Sequence, residues 1–444
     1  MVPLLNLLFI FTILTSLALN PGKNHSSFMT SVVMSLSLAF LVILTAGGET
    51  LSVGTNLDLM SKIMMVLLCL VLVFSSSTES FSSCEKKMKP LMLLGLICSL
   101  FFSTDSLLIF FMMFEASMIP ILFLILGFGH QPERIPSGMF MLMFTLVSSI
   151  PLALVVVYMA LWEGVSSFSI MTIHSPLPIK GVIIACILAF LVKLPLYGFH
   201  IWLPMAHVEA PLEGSMALAG ILLKLGGFGL YRFWSILGYM FGSWVGFTLW
   251  SLSLFGSVMA AIMALTSTDV KAIVAYSSVS HMNFMILAFL SGKAFSLKAL
   301  GITSLSHALG SPILFFLVTI LYGIGHSRNL LVVKGIFSIL PTFQLLSFMV
   351  WAMNMSPPPF FSFMGEISSI GGALFFLPTS LVGLVVLVVL SSLYSMNIFG
   401  ISSLALSNWQ TTCVGSQSKL NLISFSIVLS IVFFFSSSTW DPCP

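Results

Sequence analysis

Apolar residues run along this chain in unbroken stretches separated by short polar punctuation, without the alternation of a half-buried strand. Roughly 20 consecutive apolar residues match the ~30 Å hydrocarbon core of a bilayer. Backbone polar groups in lipid must be satisfied within the structure, so such runs are helices or a closed barrel, and continuous rather than alternating hydrophobicity selects helices. The pattern predicts about 14 spans, at 2–19, 29–47, 58–75, 90–104, 107–128, 138–160, 181–203, 211–232, 243–265, 270–291, 297–320, 336–372, 378–402 and 420–437. The fourth and fifth are separated only by "STDS", and the twelfth is interrupted. The apolar N-terminal stretch has no basic residues before it, so it reads as a first spanning helix and not as a cleaved signal.

Two spans contain helix breakers. Pro195 lacks a backbone donor and crowds the carbonyl of Leu191, and Gly198 loosens the same turn. Pro357, Pro358 and Pro359 break the twelfth span. The expected fold class is therefore an all-α polytopic membrane protein with discontinuous helices near Pro195 and Pro357–Pro359.

Composition fits this reading. The chain has 444 residues, 58% of them hydrophobic and only 7% charged, where a soluble domain carries about 25% charged residues. Its mean hydropathy is +1.14. A net charge of +3 with no basic run beyond "EKKMK" argues against a nucleic-acid partner. Basic residues assigned to loops after odd-numbered spans (Lys23, Lys86, Lys87, Lys89, Arg134, Lys271, Arg328, Lys334, Lys419) number nine, against five after even-numbered spans (Lys62, Lys180, Arg232, Lys293, Lys298). The positive-inside rule then puts the odd loops on the cytoplasmic or equivalent side and both termini opposite. Cys69, Cys84, Cys98, Cys186, Cys413 and Cys443 have no metal-ligand spacing, and most read as small core residues.

A charge at the centre of a bilayer helix costs at least about 2.5–3.5 kcal/mol and marks function by default. The mid-span ionisable residues are Glu115, Lys193, Lys224, His281, His307 and Glu366. Each of these groups can hold or release a proton, as a buried relay requires, whereas arginine, which keeps its proton in proteins, is absent from mid-span positions. One buried pair, such as Glu115 with Lys193, also serves as a structural salt bridge. Six titratable groups on six spans exceed what helix packing needs. Each break also lies beside an ionisable residue, Lys193 or Glu366, which points to two structural repeats with ion sites at discontinuous helices. On this reading Lys193 carries a proton, and Pro195 opens its helix to water. Lys224 lies at similar depth on the next span, so the two amines are expected to be neighbours.

Other chemistry is not indicated. "HVE" at 207–209 lacks the Pro-Cys-x-x-Cys partner of a zinc deaminase, and neither a zinc-protease motif nor a P-loop occurs. "LKLGGFG" lies within a helix, where close packing explains its glycines. No flavin, haem or iron–sulfur pattern appears.

The stretch "VKLPLYGFHIWLPMAHVEAPLEGSMALAGILLKLGGFGLYR" (192–232) resembles the antiporter-like membrane subunits of proton-pumping NADH:ubiquinone oxidoreductase, respiratory complex I. "FEASMIPILFLILGFGHQPER", "STDVKAIVAYSSVSHMNFM" and "PPPFFSFMGEIS" agree, and the likeness covers roughly residues 85–400. It implies a single antiporter-like domain over 1–444, with inverted five-helix repeats at about 90–232 and 243–402 and flanking helices at 1–75 and 420–437. It implies a Glu115–Lys193 pair, a central Lys224, His281 and His307 on the hydrophilic axis, and Glu366 as terminal acid. His200 and His207 match family positions with less defined roles. Pro312 leaves the placement of His307 open.

The resemblance implies that this chain binds no cofactor. NADH, FMN, iron–sulfur clusters and ubiquinone would belong to the whole complex. Its partners would be two homologous antiporter-like subunits, a transverse helix along the flank, and lipid. The size implies a mitochondrially encoded form in the inner membrane, with odd-numbered loops on the matrix side and both termini in the intermembrane space. The alternatives are a subunit of a multi-subunit cation/proton antiporter, whose members share the 192–232 motif, and a membrane scaffold whose charges only pair.

Overall fold

The computed structural model describes residues 50–52, 55–76, 84–129, 131–174, 180–238, 241–292, 294–339, 341–404 and 417–436. The spans expected at 2–19 and 29–47 lie outside them, as do Lys23, Lys293, Cys413 and Cys443. Thr50–Ser52 and Thr55–Leu57 form a short antiparallel ribbon, with Thr50 opposite Leu57. The remaining described elements are helical.

The described residues form two compact units. One holds residues up to 193 together with 209–238, and the other holds 194–208 and everything from 241 onward.

The first unit contains α1 (Leu59–Ser76), α2 (Cys84–Ser103), α3 (Leu107–Ala116), α4 (Met118–Phe128), α5 (Arg134–Leu161), α6 (Phe168–His174) and α7 (Lys180–Lys193). The chain leaves this unit through α8 (Trp202–Glu209) and re-enters it as α9 (Leu212–Arg232). The expected span at 107–128 is divided between α3 and α4, because Pro120 has no N–H to offer the Ala116 carbonyl. α2 packs against α1, α3 and α4, and α7 lies between α5 and α9. The core is aromatic: Phe101 stacks on Phe110 at 4.3 Å between ring centroids, and Phe114 meets Phe190 edge-on at 5.6 Å.

The second unit contains α10 (Trp244–Thr266), α11 (Val270–Leu290), α12 (Ala294–Gly325), α13 (Pro341–Met355), α14 (Phe361–Phe376), α15 (Leu381–Phe399) and α16 (Gln417–Ser436). α11 packs on α10, α12 and α14, and α15 covers α10 and α13. α12 runs through Pro312 without a break, which fixes His307 at mid-helix.

Seven described helical stretches are long and apolar enough to cross a membrane. Their burial follows the logic of lipid solvent. The windows within α9 and α11 are 94% and 89% buried and among the least apolar, whereas α5, α10 and the α15 region, the most exposed at 33–39% buried, are strongly apolar. Outward faces are apolar because lipid is their surroundings, and the interior holds the polar groups.

Several basic residues assigned to loops lie in helices, some of them inside the predicted spans, and this corrects the loop assignments. Lys62 lies in α1, Lys86, Lys87 and Lys89 in α2, Lys271 in α11 and Lys298 in α12. Arg134, Lys180 and Arg232 sit at helix ends. Long basic side chains are tolerated in end turns when their heads find partners. Lys87 meets buried Glu213 at 3.4 Å, and Arg232 meets Asp58 at 2.8 Å. Buried charge is therefore not confined to the six mid-span residues.

Candidate functional site

Lys193 is the last residue of α7, which ends where Pro195 cannot continue the hydrogen-bond ladder. Only 1% of it is exposed. Its amine donates to the Phe114 carbonyl at 2.8 Å and the Ser117 hydroxyl at 3.3 Å, and lies 3.4 Å from the Phe114 ring centroid. The break between α3 and α4 supplies these acceptors. The expected Glu115–Lys193 pair is looser than a salt bridge: the two interact electrostatically, but no direct ion pair joins them among the described residues. The amine has nearer oxygens at the helix break, on Phe114 and Ser117.

Lys224 is equally buried and finds a different solution. Leu218–Leu222, one turn ahead of it, is a π-helical turn. Its amine donates to the Ala219 carbonyl at 2.5 Å, within this turn. A π turn inserts one residue and loosens the regular ladder, which makes a carbonyl available. The lysine-bearing helices α7 and α9 pack closely. A Cβ on Gly229 would come within 2.3 Å of the Phe190 ring, so this glycine of "LKLGGFG" serves helix packing.

In the second unit the structure brings three predicted residues together. His281 on α11, His307 on α12 and Glu366 on α14 line one cavity with Thr303, Ser306 and Asn354. The imidazole centroids are 5.9 Å apart, and Ser311 Oγ lies 3.3 Å from His307 Nδ1. The cavity measures about 30 Å³, and a water needs roughly 10–15 Å³ of such space. Glu366 lies in the second turn of α14, just past the break where Ser356 takes a left-handed φ of 55°.

His200 and His207 stand apart from that cavity. His200 is half-buried in the α7–α8 connection, stacks on Tyr197 at 4.7 Å, and accepts from the Gly198 amide at 3.2 Å. His207 is fully buried and stacks on Phe315 at 4.6 Å.

Sequence reasoning missed the groups that support the first break. Asn283 donates to the carbonyls of Pro195 at 3.0 Å and Val279 at 2.8 Å, and accepts from the Tyr197 amide at 3.2 Å. It gives partners to a carbonyl and an amide beside the break that Pro195 makes. Tyr394 and Asn354, joined at 3.2 Å, were missed as well. Buried polar side chains without charge are the signal that could have found them.

The sequence matches the family described as NADH:quinone oxidoreductase/Mrp antiporter, TM, over residues 104–394. The chain belongs to this family. Among curated relatives, NADH-ubiquinone oxidoreductase chain 4 of Ceratitis capitata is 35% identical over 407 residues, 89% of this chain and 84% of that one. The chain of the same name from Albinaria caerulea is 37% identical over 320 residues, 71% of each. A chain in the structure of respiratory complex I from Thermus thermophilus with bound NADH superposes with a TM-score of 0.86, covering 97% of this chain and 95% of that one at 22% identity. This antiporter-like membrane-subunit family therefore accounts for the helical fold.

Proposed function

We propose that this chain is the chain 4 subunit of a proton-translocating NADH:ubiquinone oxidoreductase, and that Glu115, Lys193, Lys224, His281, His307 and Glu366 carry protons through it. The observation that carries this reading is the convergence of His281, His307 and Glu366 on a water-sized cavity beside a broken helix. Each group can take up and release a proton, and water bridges groups too far apart for direct transfer. Lys193 and Lys224 direct their amines at carbonyls at a helix break and a π turn, where small backbone movements change the number of acceptors.

The names of the relatives support a place among other subunits of such an oxidoreductase, and we take two homologous antiporter-like subunits and a transverse helix to be among its neighbours. They also support a multi-pass position in the mitochondrial inner membrane. We place the odd-numbered loops on the matrix side, an assignment that rests, among the described residues outside or at the ends of helices, on Arg134, Arg328 and Lys334 against Lys180 and Arg232. Redox chemistry would occur in other subunits, driving proton transfer here at a distance. The antiporter reading is favoured less, because the curated relatives at 34–38% identity named above and beside them carry the oxidoreductase name.

The test replaces Lys193 by Met and, separately, Glu366 by Gln in the assembled complex, with assembly checked on a native gel. NADH:ubiquinone turnover and proton uptake into sealed vesicles are then measured. Both are expected to fall together by roughly a hundredfold or more, the range for loss of one proton-transfer group. Normal turnover and uptake in both variants would reduce these residues to structural partners.

A further inference from the structure

An imidazole has two nitrogens, and the hydrogen bond made by one decides what the other can do. In His307 that bond is made by Ser311. The serine lies four residues on in α12, so the two side chains share a helix face. It is buried, and it lines the cavity of His281, His307 and Glu366. Both contacts of its hydroxyl are with His307 itself: Oγ lies 2.8 Å from the His307 carbonyl oxygen and 3.3 Å from Nδ1.

A serine hydroxyl has one proton to give and lone pairs with which to accept. The carbonyl oxygen can only accept, and it is the nearer atom, so it takes the hydroxyl proton. Nothing is left to donate to Nδ1. The 3.3 Å contact is then a hydrogen bond only with the proton on Nδ1 and Oγ accepting it. A neutral imidazole holds one ring proton, so Nε2 carries the lone pair. Thr303 and Ser306 also line this cavity, and they too give their protons to their own helix, to the Ala299 carbonyl at 2.6 Å and the Thr303 carbonyl at 3.1 Å.

We propose that Ser311 is a positioning residue that keeps the ring proton of His307 on Nδ1, so that Nε2 is the nitrogen that takes and gives the transported proton. This rests on the relay reading above. An arriving proton binds the Nε2 lone pair and makes an imidazolium, and the same N–H bond breaks when the proton leaves. The Nδ1 proton stays on Ser311 Oγ in both states, and its bond strengthens while the ring is charged. The ring therefore has no reason to turn as its charge changes. The hydroxyl proton is held by a carbonyl that passes nothing on, so Ser311 orients the ring and does not conduct. The titratable groups lining the cavity with His307 are His281 on α11 and Glu366 on α14, while α13 brings the neutral Asn354. The imidazole centroids are 5.9 Å apart, a separation that water in the cavity bridges.

The test uses the assembled complex in sealed vesicles. Ser311→Ala removes the acceptor and frees the ring proton to move to Nε2. NADH:ubiquinone turnover and proton uptake should fall together by roughly three- to tenfold, the population shift that one neutral hydrogen bond commands, with the KM for ubiquinone unchanged. His307→Gln should lower both by roughly a hundredfold or more. Adding Ser311→Ala to it should cause no further loss, because the serine acts only through that ring. A packing role for Ser311 predicts that the two losses multiply. If they multiply, or if Ser311→Ala works normally while His307→Gln is impaired, the positioning role is refuted and the relay stands. If His307→Gln is itself normal, the relay reading of His307 falls and this inference with it. If Ser311→Ala fails to assemble, Ser311→Thr and Ser311→Val, alike in shape and different in the hydroxyl, decide. Thr should turn over roughly three- to tenfold faster than Val, and equal rates refute the proposal.

Discussion

Replacing Asn283 by Leu tests how the break in the seventh predicted span is held. Leu has the same number and branching of side-chain heavy atoms but no hydrogen-bonding atoms. The change strands the Pro195 carbonyl, which is buried, and the Tyr197 amide, which is partly buried. The third bond, to Val279, is local to α11, and its loss matters less. A buried group left unsatisfied costs roughly 1–3 kcal/mol, so the two together cost about 2–4 kcal/mol with the amide at the low end. A local loss of 2 kcal/mol is about a 30-fold change in an opening equilibrium. Hydrogen exchange read by mass spectrometry on peptides covering 194–203 measures that equilibrium in the assembled complex. Exchange there should accelerate by about that factor, with the α10–α11 connection changing little. Unchanged exchange in 194–203 would refute the idea that Asn283 holds the break.

Three further predictions follow from the packing. Gly256→Ala places a Cβ 2.3 Å from the Cβ of Tyr197. It should lower the thermal midpoint of the complex through an overpacking cost of about 1–3 kcal/mol, and should accelerate the same exchange. Gly198→Ala meets no neighbour, but Gly198 has a φ of +100°, so its cost is purely conformational, about 1–2 kcal/mol in thermal stability. An unchanged melting profile would dispute that backbone. Asp58→Asn weakens a charged partner of buried Arg232 and should cost about 1.5–3 kcal/mol in detergent stability. A neutral result would show that its other contacts, Phe168 and Phe228 at 5.5 and 5.2 Å among them, are enough to hold the guanidinium.

The sequence carried the fold because bilayer burial imposes a long-period signal that no soluble helix shares. Pro195 and Pro357–Pro359 were equally legible, since proline removes a donor wherever it stands, and helices end at Lys193 and Met355. The ionisable residues stood out against an apolar background, although pattern alone could not show that His281, His307 and Glu366 share one cavity. Asn283 was illegible for a different reason. A single neutral amide in "SHMNFM" disturbs neither hydropathy nor charge, and its partner Pro195 is 88 residues away. Tyr394 reads as one more aromatic in an apolar run. Helix ends were the weakest reading, because a lysine or arginine in an end turn looks like a loop residue until its partner is known.

The π turn at Leu218–Leu222 sets the angular phase of everything after it in α9. One extra residue advances a helix by about 100° around its axis. Forcing Leu218–Leu222 into regular geometry with no residue removed would turn everything after it by that angle. Lys224, Gly229 and Arg232 would then rotate together, away from the Ala219 carbonyl, the Phe190 ring and Asp58. A change that regularises the local helix would thus dismantle three contacts, whereas deleting one residue with the turn would leave them in phase. A single turn of irregular backbone keeps a charge, a packing glycine and an ion pair in register.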